Sequence, residues 1–163
     1  MNLPNNRVLF AAVALAAATS MAIALYLQYV VGLAVCPLCF TQRVFVIAAG
    51  GFALLAALHN PRVLGQRLYA VIAALFALIG AGFAGRHVWL QALPEDQAPA
   101  CGPDLEYMLQ TFPFSQTLEV LLMGDGNCAE VTWTFLGMSI PQMTLLLFIA
   151  MIVAFVTAFI RAR

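Results

Sequence analysis

The sequence predicts an all-α membrane protein, a four-transmembrane-helix bundle with a long outer loop carrying a short amphipathic helix. Three observations predict it. Of the 163 residues, 64% are hydrophobic and 9% charged, against the roughly 45–50% apolar content of a soluble domain. The apolar residues gather into four stretches long enough to cross about 30 Å of hydrocarbon at roughly 1.5 Å per helical residue. The charges are segregated as well: the seven basic residues are all arginines outside 93–141, and the seven acidic residues all lie inside it. With a net charge of +0 and no basic patch, the chain offers nothing to nucleic acid. One integral membrane domain is expected over 1–163, with spans at about 8–29, 40–59, 68–90 and 142–160 and outer loops at about 30–39 and 91–141.

The first span is apolar except for Thr19 and Ser20 and ends on Tyr26 and Tyr29, aromatics suited to the membrane interface. A cleaved signal peptide is the competing reading, given Arg7 and the alanine-rich run, but about 20 apolar residues exceed the usual 7–15 of a signal core. The second span carries Arg43 near its start and stops at His59-Asn60-Pro61, because proline disfavours helix in the residue before it. The third runs through Arg86, His87 and Trp89. The fourth is announced by Ser139 and Gln142, spaced as a capping box. Small residues at 48–57 and 77–85 suit close helix contact in lipid.

Arginines in short loops mark the cytoplasmic side. Arg7, the Arg62/Arg67 turn and Arg161/Arg163 share one side, so both termini are expected to be cytoplasmic. All four cysteines then face outward, and in a bacterial inner membrane that side is the oxidising periplasm, where disulfides persist.

Cys36-Pro37-Leu38-Cys39 lies at the start of the second span, where free backbone N–H groups and the positive dipole end favour a thiolate. Arg43 follows Cys39 by one helical turn and is expected to lower the thiol pKa further. The bland alternative is an inert staple, with Arg43 reaching for lipid headgroups. Cys101 and Cys128 stand beside the turn formers Gly102-Pro103 and Gly124-Asp125-Gly126-Asn127, so both are expected on mobile, exposed chain. Between them the apolar run 118–123, preceded by Phe112 and Phe114, is expected to form a short helix lying on the membrane. A structural brace between Cys101 and Cys128, or a tetrahedral zinc site made of all four cysteines, are the competing readings. Against zinc stand the wide spacing of the second pair and the oxidising compartment; no metal is expected.

Oxidising dithiols releases two electrons that need a sink. The chain has no glycine-rich dinucleotide fingerprint, haem motif or P-loop, which leaves a lipid-soluble quinone as the natural acceptor. An arginine in an apolar zone is costly enough to point to function, and Arg43 would stabilise charge developing on a quinone oxygen. His87 would donate a hydrogen bond if it lies at the same depth; alone, a histidine near a helix end is more often an interfacial residue.

The chain closely resembles the bacterial disulfide bond formation protein B (DsbB) family. The resemblance covers nearly the whole length and rests on four spans, the Cys36–Cys39 motif followed by Arg43, His87 ending the third span, Cys101, and Cys128-Ala129-Glu130 with Trp133, Phe135-Leu136-Gly137 and Pro141. The vitamin K epoxide reductase family shares the helices and a C-x-x-C, but there the loop cysteines precede the motif. The resemblance implies a quinone-dependent protein-disulfide oxidoreductase. In it a Cys101/Cys128 disulfide would reoxidise a periplasmic thioredoxin-like, DsbA-like partner, with Cys101 taking the mixed disulfide. Cys36 would attack Cys128, Cys39 would be left as a thiolate against ubiquinone, or menaquinone in its place, near Arg43, and His87 would lie beside the quinone. The competing class is a non-enzymatic tetraspan protein whose disulfides only brace its outer loop.

Overall fold

The computed structural model describes residues 5–94, 97, 99–103 and 105–162. Arg163, used above for orientation, and the acidic Glu95, Asp96 and Asp104 lie outside the described residues. Four long helices, α1 (Asn6–Tyr29), α2 (Pro37–His59), α3 (Val63–Gln91) and α6 (Ile140–Arg161), are each long and apolar enough to cross a membrane. Two short ones, α4 (Leu105–Thr111) and α5 (Phe114–Met123), occupy the loop between α3 and α6. The protein is thus an all-helical, multi-pass membrane protein, as its composition predicts.

Local chemistry sets the helix ends. Cys36 is the N-cap of α2 and Pro37 follows it in the first turn, where proline's missing N–H costs nothing. Asn60 ends α2 in the left-handed region, φ 41°, bonding back to the Ala56 carbonyl. α3 begins at Val63, ahead of the apolar stretch at 68, and its first turns carry Gln66 and Arg67, which bond Asn6 and the Ala162 carbonyl. The Gln142 side chain accepts from the Ser139 N–H at 2.9 Å, so the capping box forms at the start of α6.

Neighbours in sequence are neighbours in space: α1 packs on α2, α2 on α3, α3 on α6, and α6 closes back on α1. Between them Phe10, Phe148 and Phe155 interlock with a bed of buried alanines. The approach is closest at two glycines. A Cβ on Gly80 would overlap the Phe148 ring, and one on Gly50 would lie 2.5 Å from the Ala17 Cβ. Small residues substitute here for the hydrophobic drive that lipid cannot supply between helices.

At one end of the bundle arginines satisfy helix carbonyls. Arg7 donates to Ala57 O at 3.0 Å, and Arg67 donates twice to Ala162 O at 3.1 and 2.9 Å. Asn6 ties α1 to Gln66 and to the Ala158 carbonyl. At the other end, α5 sits on the start of α2 and reaches the end of α3. The Thr41 hydroxyl donates to Leu121 O at 2.8 Å, and Arg86 Nε donates to Met123 O at 2.8 Å. The helix expected from 118–123 therefore exists, begins earlier at Phe114, and keeps Phe114, Leu118 and Leu122 exposed on its outer side. After it, a short antiparallel pair, β1 (Thr134–Phe135) and β2 (Met138–Ser139), turns at Leu136 and Gly137, both with positive φ. A two-residue turn of that kind matches the twist of a hairpin.

Candidate functional site

The first turn of α2 is the floor of the site. Its leading N–H groups have no partner within the helix, and one of them, on Cys39, aims at sulfur. The Cys39 N–H donates to Cys36 Sγ at 3.4 Å, while Leu38 packs against the buried Cys128. Cys128 reaches that point on a single 3-10 turn, Gly126–Cys128, whose last residue is completely buried. The sequence reading of Cys128 as exposed, mobile chain is corrected: the turn formers around it fold it inward against Leu38 and Leu90.

α3 supplies His87, 2% exposed, one turn from its end. Its Nε2 lies 3.7 Å from Cys36 Sγ, and its Nδ1 lies 4.0 Å from Cys39 Sγ and 3.0 Å from Gln42 Nε2. The ligand atoms of Cys36, His87 and Cys128 all fall within 4.8 Å of one another. All four cysteines are free thiols.

Cys101 is exposed, as expected, yet its strand of loop is held against the Cys128 turn. Gly126 N donates to Ala100 O at 3.1 Å, and Asn127 Nδ2 donates to Gly102 O at 3.0 Å and to Asp125 Oδ2 at 3.0 Å. Backbones meet here without side chains between them. A Cβ on Gly126 would overlap Pro99 O and lie 2.7 Å from Cys101 N.

Environment moves the two facing thiols the same way. The Cys36 sulfur, then burial, push the Cys128 thiol well above its ordinary value, against a smaller downward pull from backbone groups of Asp125 and Leu38. For Cys36 the largest influence, Cys128, pulls down, but the Cys39 thiol and burial outweigh it and the net direction is upward. The acidification expected from the helix start is therefore overridden at Cys36. These are protected sulfurs, poised by proximity rather than by ionisation.

Arg43 lines the same cleft as Cys36, Cys39, Gln42 and His87. It is held from α1, bonding the Gln28 side chain and donating to Ala24 O at 3.2 Å. Gln91, Pro141 and Trp133 complete the walls, where apolar side chains such as Met21, Leu27 and Leu147 alternate with polar ones such as Asn127, Glu130 and Thr144. Sequence reasoning missed Gln42, Gln28, Gln91 and the Asp125–Asn127 clasp. For Gln42 a signal existed, a polar residue beside Arg43 inside an apolar stretch; the clasp had none, since its partners are remote in sequence.

Such an arrangement can exchange thiols between an exposed and a buried station. The family model described as "Disulfide bond formation protein DsbB" matches residues 6–158. The chain belongs to the DsbB family. A "Disulfide bond formation protein B" of Hahella chejuensis is 51% identical over 156 residues, covering 96% of this chain and 94% of that one. That of Saccharophagus degradans is 56% identical over 129 residues, 79% and 78% of the two chains, and "Disulfide bond formation protein B 1" of Pseudomonas aeruginosa is 44% identical over 161 residues, 99% of each. As a DsbB homologue the protein is a disulfide-generating oxidoreductase of the membrane.

Proposed function

We propose that this DsbB-family protein reoxidises a periplasmic DsbA-like partner and passes the electrons through its two cysteine pairs to a membrane quinone. The observation that carries the reading is the split of the outer pair: Cys101 stands exposed while Cys128 is buried against Cys36. A soluble protein can reach only the first, and only the second can reach inward.

The steps follow from which sulfur is free. A partner thiolate attacks Cys101 of a Cys101–Cys128 disulfide and releases Cys128. Cys128 attacks Cys36 of a Cys36–Cys39 disulfide and expels Cys39, so the attack runs from Cys128 to Cys36, opposite to the polarity expected from the resemblance. The partner's second thiol frees Cys101, and Cys101 attacks Cys128, releasing Cys36. The outer disulfide is restored, the partner leaves oxidised, and the two electrons rest on Cys36 and Cys39. Proximity favours the exchange: Cys36 and Cys128 face each other at the start of α2, where the Cys39 N–H bonds the Cys36 sulfur.

DsbB proteins in general use quinones. The donor set fits one: the Arg43 guanidinium, the Gln42 amide and His87 face a partly apolar cleft beside Cys39. Arg43 and His87 would hold the ring oxygens, and a bound quinone supplies a two-electron, two-proton acceptor as the Cys36–Cys39 bond re-forms. Orientation with both termini in the cytoplasm is supported by Arg7 and Arg67 capping helix ends away from the cysteines.

In a Cys39→Ser variant, Cys36 keeps a free thiol beside an oxidised outer pair. A Cys36–Cys128 bond should then accumulate, visible by peptide mapping without reduction. Cys36 found unpaired, or bonded to Cys101, would overturn the Cys36–Cys128 pairing on which the relay rests.

A further inference from the structure

We propose that the reduced protein binds one soft divalent cation of the zinc class through Cys36 Sγ, Cys128 Sγ and His87 Nε2, and that this holds the relay in its reduced form. This goes beyond the relay and differs from a site built of four cysteines, because Cys101 is exposed and apart from the cluster. A tetrahedral ion with Zn–S near 2.3 Å and Zn–N near 2.0–2.1 Å sets its donor atoms roughly 3.5–3.8 Å apart. Cys36 Sγ and His87 Nε2 stand 3.7 Å apart, and all three donors lie within 4.8 Å of one another. Closure needs a shift of about 1 Å at most in one cysteine side chain.

The surroundings suit a metal–thiolate centre. Cys128 and His87 are buried, so water does not compete freely. The Cys39 N–H already bonds the Cys36 sulfur, as the outer contacts of a thiolate–metal site do. Gln42 lies at the far ring nitrogen, 3.0 Å away, and its amide, turned oxygen-first, accepts the Nδ1 proton and leaves Nε2 free to coordinate. Two thiolates balance a divalent charge, and their protons pass to water. Thiolate and imidazole donors together select zinc, cadmium or cobalt over magnesium and calcium. Any disulfide at Cys36 or Cys128 removes a ligand, so the site exists only in the reduced state.

The test uses the full chain in detergent micelles, reduced with a phosphine and titrated with Co2+ alone. One cobalt per chain should bind with a thiolate charge-transfer band and the visible bands of a tetrahedral ion, and Zn2+ should displace it. The oxidised protein and Cys128→Ser should show no such band, whereas Cys101→Ser should bind as the wild type does. Gln42→Leu, which leaves the three ligands in place, should weaken binding about 10–100-fold. Zinc should also shield Cys36 and Cys128 from maleimide while leaving Cys101 reactive. No thiolate band in the reduced wild type, or equal affinity in Cys128→Ser and Gln42→Leu, would overturn the site. Neither partner nor quinone enters the measurement, so its failure would leave the electron relay untouched.

Discussion

The two ends of the bundle solve the same problem in opposite ways. Each must satisfy backbone groups left open where helices stop. At the arginine end they are closed by fixed, fully made bonds: Arg7 on Ala57 O, Arg67 on Ala162 O, Asn6 on Ala158 O. At the cysteine end the Cys39 N–H of α2 is offered to the Cys36 sulfur, a weak acceptor that can change its bonding partner. One end is finished and the other is left exchangeable, and the difference separates residues that stabilise from residues that react.

The sharpest way to break this contrast is at the reactive end. Cys36→Ser and Cys39→Ser should each reduce oxidation of a DsbA-like protein to background, while circular dichroism shows the four helices intact. Turnover retained in either variant would remove the motif from the chemistry.

A second difference lies within the cysteine end. Cys101 is exposed, whereas Cys36 and Cys128 are pushed upward in thiol pKa and Cys128 is buried. A thiol whose pKa stands one unit higher has about a tenth of the thiolate at neutral pH. In the reduced protein, Cys101 should therefore be alkylated at least about tenfold faster than Cys128, and the gap should narrow as pH is raised. Equal rates at neutral pH would mean that the buried station is open.

Third comes the acceptor side. Arg43→Met should raise the apparent KM for quinone, and Arg43→Lys should do so less, since lysine keeps a charge but not the planar fork. A quinone concentration series decides, and unchanged kinetics in both would reduce Arg43 to a tie between α1 and α2.

On the structural side, Gly80→Val should drive a side chain into Phe148 and cost about 1–3 kcal/mol of stability. Thermal unfolding measures that, and activity per folded molecule should not change. Arg67→Ala should have the smallest effect, roughly 1 kcal/mol or less from a partly exposed end, again without effect on turnover.

These contrasts were unequally legible in the sequence. The four helices were, because an apolar stretch of span length has few alternatives in lipid. Cys36 at the head of α2 and the Ser139/Gln142 cap were legible because both are local in sequence. The inward turn of Cys128 was not: Gly124-Asp125-Gly126-Asn127 has the composition of an exposed turn, and only its bonds to residues 100–102, remote in the chain, fold it inward. α4 carried too weak a periodicity to find. The Arg43 tie to Gln28 and the carbonyl-capping role of Arg7 and Arg67 likewise depend on which helices become neighbours, which composition does not state.

The seam that Gly126 permits does not depend on sulfur. The Cys101 and Cys128 segments lie backbone to backbone, joined by the Gly126–Ala100 and Asn127–Gly102 bonds. In the proposed relay a partner taking the Cys101 sulfur would leave that seam in place, so the released Cys128 would have only a small volume to search for its next bond, and Cys101 only a small volume to search on its return. The loop keeps a record of its own pairing that reduction does not erase. Gly126→Ala, with its Cβ forced against Pro99 O, would blur that record while leaving every cysteine in place.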